Sequence, residues 1–190
     1  MSQAEYEKFG RTLAFHAAPT LLGIKCANLV SLASDEFQLQ LHSACFNRKA
    51  AAKGLRCRIL CEQGARTLIL VYHHARLEQR LRDQDVRRML RRCGYPASAA
   101  VEEYLDILAK RIQANGSFPH DIGLFLDYPL EDVIGFIANK GENFKLCGYW
   151  KVYGSEEQAR RTFSNYEKCR NFLCNKLNEG ADLYQALRIS

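Results

Sequence analysis

His120 and Asp121, adjacent and directly after Pro119, are the residues of this chain least readily given a purely structural role. A loop histidine beside a carboxylate can act as a general base, a metal ligand or a pH-sensitive contact. Asp127 offers a second carboxylate, and Lys151 and Tyr153 follow on an alternating segment. Further upstream, His16, Lys25 and Asn28, with Thr20, set polar groups in an apolar stretch. Two chemistries suit these residue types. In the first, His16, His120 and the Lys151/Tyr153 face hold a small anionic or redox-active molecule in a cleft beside a sheet, and haem or flavin would suit the neighbouring aromatics. In the second, a small enzyme uses His120 as general base, with Asp121 or Asp127 as orienter and Lys151 stabilising negative charge. Structural roles stand beside these. His16 near a helix C-terminus is electrostatically favoured, Asp127 can cap the helix that follows it, and Lys151 and Tyr153 fit an exposed sheet face.

Other chemistries lack their signatures. No nucleophile elbow, P-loop or Rossmann glycine pattern occurs, and Gly123 and Gly135 are too scattered for a phosphate loop. Cys57 and Cys61, four apart on one expected strand, are separated by roughly 13 Å, too far for two thiolates at about 2.3 Å from one zinc. Cys169 and Cys174 are turned about 140° apart on a helix. No metal site is expected. Eight cysteines in a chain with no secretory signal and no long apolar run are expected to be reduced, in a cytoplasmic protein away from membranes.

The elements that must position the candidates lie mainly between Phe118 and Gly154, a stretch with half of the chain's prolines, five glycines and its only Trp. Ile122 to Leu126 is a short apolar run bounded by Pro119 and Asp127-Tyr128-Pro129, the form of a buried strand. A helix follows, with Pro129 at its first position, Glu131 and Asp132 in its first turn and Gly141 past its end. Leu130, Val133, Ile134 and Ile137 make its apolar face. Gly135 inside that helix costs about 1 kcal/mol against Ala, which implies a close approach to its backbone. From Phe144 to Tyr153 the residues alternate, predicting one strand with Trp150 and Val152 inward and Lys151 and Tyr153 outward.

The segments FPHDIGLFLDYPLEDVIGFI and GENFKLCGYWKVYG, with HAAPTLLGIKCANL upstream, strongly resemble a bacterial family, domain of unknown function 3793. The likeness covers nearly the whole chain. It implies a class and leaves the chemistry to the residues. The family pattern has Glu after the motif histidine and Gly before the Tyr-Pro pair, where this chain has Asp121 and Asp127. It has Cys where this chain has Ala17, which weakens a thiol mechanism placed there.

The remaining chain predicts one α+β domain of 190 residues, with a small mixed or antiparallel sheet of about four strands packed by about six helices. A first helix should end near His16, because Pro19 disfavours helical geometry in the residue before it. Ser34 or Asp35 can cap a second helix with Phe37, Leu41, Ala44 and Cys45 buried. Leu55 to Cys61 and Arg66 to His73 form a hairpin. Arg76 to Arg92 carries seven arginines against Glu78, Asp83 and Asp85 and reads as one amphipathic helix. Its basic face, with Arg80, Arg87, Arg88, Arg91 and Arg92, is either solvated or able to replace phosphate counterions on a nucleic acid. No base-stacking aromatics interleave it. A helix from Ser98 to about Ala114 closes at Asn115-Gly116, and a capped helix from Ser155 runs to Asn178 with Ala159, Phe163, Tyr166, Leu173 and Leu177 inward.

Overall fold

A computed structural model describes residues 2–115 and 119–189. The fold is α+β: among the described residues there are nine α-helices, a three-stranded antiparallel sheet and a two-stranded one. They group into two compact units, Met1–Leu77 with Lys168–Ser190 and Glu78–Glu167. No helix among the described residues is long and apolar enough to cross a membrane.

The first unit opens with α1 (Gln3–Leu21), which continues past His16 and through Pro19. Proline removes one helical hydrogen bond, but two other effects offset that loss. Ala17, Ala18, Pro19 and Leu21 are buried, and the Pro19 carbonyl accepts from the N–H groups of Ile24 and Lys25 at 2.7 and 3.1 Å. The chain then enters β1 (Ala27–Ala33), a strand the sequence reading did not separate from its surroundings. β2 (Leu55–Gln63) and β3 (Arg66–His73) form the expected hairpin, and the sheet order is β1-β3-β2, all antiparallel. β3 is central and buried from Thr67 to Tyr72, as its nearly continuous apolar run requires.

Between β1 and β2 lies α2 (Leu39–Ala50), which starts later than a local cap at Ser34 or Asp35 would place it. Its first turn is capped from α1 instead. Glu5 Oε1 accepts from Gln38 N at 2.7 Å and lies 2.9 Å from His42 Nε2, while the Ser34 hydroxyl bonds Thr67. This tertiary cap turns the helix so that His42, Ser43, Phe46 and Ala50 are buried, and Leu41, expected inside, is 53% exposed. The end of α8 (Glu156–Asn178) and the short α9 (Leu183–Ala186) complete this core through Leu173, Leu177, Leu183 and Tyr184.

In the basic segment, one expected helix is two, α3 (His74–Arg82) and α4 (Gln84–Arg92). The break is at Asp83, whose carboxylate accepts from Asp85 N and Val86 N at 3.0 Å, a local N-cap that competes with helix continuation. α5 (Val101–Asn115) buries Val101, Leu105, Leu108 and Ile112 as its period predicts. Gly116 and Phe118 lie outside the described residues.

Two corrections shape the rest of the second unit. Ile122 to Leu126, expected as a strand, is the short helix α6 (Ile122–Phe125), because an apolar run this brief has the same burial in either form. The alternating segment is not one strand. It folds back as β4 (Leu146–Cys147) and β5 (Lys151–Val152), paired Leu146 with Val152 and Cys147 with Lys151. The reversal follows Gly148, where a Cβ would stand 2.3 Å from the Phe163 ring, so only glycine lets the backbone approach α8 this closely. α7 (Leu130–Ala138) packs beside β5, and Val133 is its buried apolar residue whereas Ile134 is 46% exposed.

Candidate functional site

Asp132, in the first turn of α7, is the side chain around which the hairpin closes. It is 3% exposed. Its Oδ2 accepts from the Trp150 indole N–H at 2.6 Å, and its Oδ1 from the backbone N–H groups of Tyr153 and Gly154 at 2.7 and 2.8 Å. A carboxylate accepting three N–H bonds has its charge well compensated, so it can be buried without a cationic partner. One turn later Gly135 fulfils its expectation of a close approach: a Cβ there would lie 2.4 Å from Tyr153 Cγ.

Beside this knot is a pocket of about 280 Å³. Pro119 and His120 form one side, Ile122 and Val133 an apolar part, and Tyr128, Phe136 and Trp150 the aromatic walls. Tyr128 stacks on Trp150 with centroids 4.9 Å apart, and its hydroxyl donates to the Tyr149 carbonyl at 3.2 Å. Burial pushes the Tyr128 phenol up to about 12, so it is neutral at ordinary pH. His120 packs against Phe136 at 5.3 Å and makes no hydrogen bond among the described residues. Lys151 donates to the Gly141 carbonyl at 2.7 Å, and its ammonium sits 4.8 Å from the centre of the Phe144 ring. His120 and Lys151, singled out separately in the sequence, therefore line one pocket.

The other candidates are placed elsewhere. Asp121 is 2% exposed and lies 3.4 Å from Arg111 Nη2, with no hydrogen bond to either carboxylate oxygen from the described residues. Arg111 stacks over Tyr95 at 5.0 Å and donates to the Cys93 carbonyl. The Tyr95 phenol is pushed up, first by burial and then by the Asp121 charge. Asp127 does not cap α7, whose N-cap is Pro129. It has φ +61, the left-handed region that glycine favours. Arg80 Nε lies 3.7 Å from Asp127. Tyr153 packs across Gly135 outside the pocket, its hydroxyl buried without a hydrogen bond among the described residues.

In the first unit, Thr20 donates to Asn28 Oδ1 at 2.7 Å, both side chains buried, and Lys25 is 3% exposed. The Thr20–Asn28 bond ties the end of α1 to β1. His16 is not at a helix end, since α1 runs five residues further, and it is exposed. Desolvation, then the Arg170 and Arg66 charges, hold it below the usual imidazole range.

The basic segment is largely engaged within the protein. Arg80 donates to the Leu124 and Tyr128 carbonyls, Arg87 to the Leu81 carbonyl, Arg82 pairs with Glu78, and Arg88 with Asp85. Arg91 and Arg92 are exposed. Among the described residues no group of three or more His, Cys, Asp or Glu side chains is placed to hold a metal ion.

Sequence reasoning missed Asp132, Tyr128 and Phe136. Asp132 carried no distinguishing sign because a second acid in a first turn is ordinary. The signal available was the only Trp, whose indole N–H needs an acceptor once buried.

No curated protein and no solved structure matches this chain. A family model described as "Protein of unknown function (DUF3793)" matches residues 13–187. That match runs from α1 to just past α9, taking in the Thr20–Asn28 joint, the Asp132 knot and the pocket beside it, and the chain belongs to this family.

Proposed function

We propose that this protein binds a small anionic or redox-active molecule, and that the pocket formed by α6, α7 and the β4–β5 hairpin receives it. One observation carries the reading. The pocket is apolar and aromatic, its acid and its phenol are committed to internal hydrogen bonds, and among the described residues that line it the groups left to meet a ligand are a lysine ammonium and an imidazole. Ligand sites have this composition, mostly apolar walls with a few placed polar groups. The cytoplasm is the proposed setting, supported by cysteines that form no disulfide among the described residues.

Native mass spectrometry with an absorbance spectrum on the purified protein, followed by melting shifts across a panel of organic acids and flavins, tests the proposal. Added mass, colour or a saturable melting shift is expected. A bare mass with no shift from any compound would overturn it.

A further inference from the structure

We infer that the ligand is a single-ring aromatic acid with one carboxylate, its ring held by Tyr128, Phe136 and Trp150 and its carboxylate by Lys151 and His120. This rests on the pocket being the binding site proposed above, and it narrows the anionic ligand to one chemical class. Size is the first argument. About 280 Å³ is at the small end of ligand pockets, about 300–1,000 Å³, and suits one ring with a short substituent.

Charge is the second argument. Asp132 adds no free acceptor, because its two oxygens take three N–H groups. A cationic ligand would therefore meet Lys151 with no carboxylate left among the described lining residues to offset it. Lys151 has three N–H donors, of which one holds the Gly141 carbonyl, and His120 adds an imidazole N–H. Those donors satisfy one carboxylate. A phosphate ester or pyrophosphate would bring more charge and more acceptor oxygens than two side chains can meet among apolar walls, and an unmet buried charge is costly. Phosphorylated cofactors are disfavoured on that ground.

The walls supply the third argument. Phe136 is a neighbour of both donors, with the His120 ring centroid 5.3 Å and the Lys151 ammonium 6.0 Å from its centroid. An anion held by both donors thus sits beside Phe136, and its attached ring has an aromatic neighbour with which offset or edge contacts are favourable.

The test is calorimetric titration with cinnamate, its neutral isostere cinnamamide, and riboflavin 5′-phosphate, on the wild-type chain and on Lys151→Met and Lys151→Arg. Far-ultraviolet circular dichroism checks that both variants fold, and Lys151→Arg keeps the charge if Lys151→Met does not fold. The inference expects cinnamate to bind at least about tenfold more tightly than cinnamamide, the effect of one charge-assisted hydrogen bond. Lys151→Met should abolish that preference and Lys151→Arg should keep it. Equal binding of acid and amide, or tighter binding of riboflavin 5′-phosphate, overturns the aromatic-acid inference and leaves the pocket as a site. Binding by none of the three overturns both.

Discussion

The two hairpins of this protein are held by different means. In β2–β3, eight residue pairs form a ladder, and β3 is paired again on its other edge by β1. In β4–β5 there are two pairs, and the hairpin is held by its contacts with helices: Asp132 of α7 on three N–H groups, Phe163 of α8 against Gly148, and the hairpin's own Tyr153 against Gly135 of α7. Where a long ladder holds a hairpin, the loss of one residue is shared among many bonds. Where two pairs hold it, a single side chain decides whether the shape exists. The pocket is built on the second kind.

Breaking that contrast at its strongest point means removing Asp132. Asp132→Ala leaves the Trp150 indole N–H and two backbone N–H groups without their acceptor, at a cost of about 3–5 kcal/mol. Urea unfolding measures it, and Asp132→Asn, which keeps acceptor oxygen but not charge, should cost less. Exposed Glu62→Ala in β2 should stay within about 0.5 kcal/mol.

Gly135→Ala is the next largest. A good helix former replaces a poor one, yet its Cβ meets Tyr153 at 2.4 Å, so the net effect is destabilising by about 1–3 kcal/mol. In a double variant with Tyr153→Ala most of that penalty should vanish, which a double-mutant cycle reads directly. Additive losses would show that Tyr153 is not what Gly135 accommodates.

The ladder hairpin responds instead to pH. His73 ends β3 and packs over Gly54, and burial, followed by the Arg76 charge, holds its imidazole below the usual value. The unfolded chain then takes up a proton before the folded one does. Stability is fully present above about pH 6.5 and declines as pH falls below it. Comparing the melting temperature of the wild-type chain with that of His73→Gln between pH 7.5 and 5 should show a shallower decline in the variant.

The same contrast explains what the sequence disclosed. β2–β3 was readable because its two runs and the turn around Gly64 that joins them are local, and α5 and α8 because their apolar periods are long. The β4–β5 region was read as one strand because its turn depends on Phe163, fifteen residues away from Gly148. α2 was read on the wrong face because its cap is Glu5, thirty-three residues before Gln38. Of the pocket, His120 and Lys151 stood out as polar residues among apolar ones. Asp132 did not, since burial, which distinguishes it from any other first-turn acid, is a property of the folded chain.

Trp150 makes the most direct test of the central claim, because it is the only tryptophan and its indole forms a pocket wall and bonds Asp132. Its emission should be measured while an aromatic acid that does not absorb in the same band is titrated in parallel with calorimetry. The account predicts a saturable change in intensity or wavelength with the same midpoint as the heat signal. Heat of binding with unchanged Trp150 emission would contradict it, by placing the ligand elsewhere.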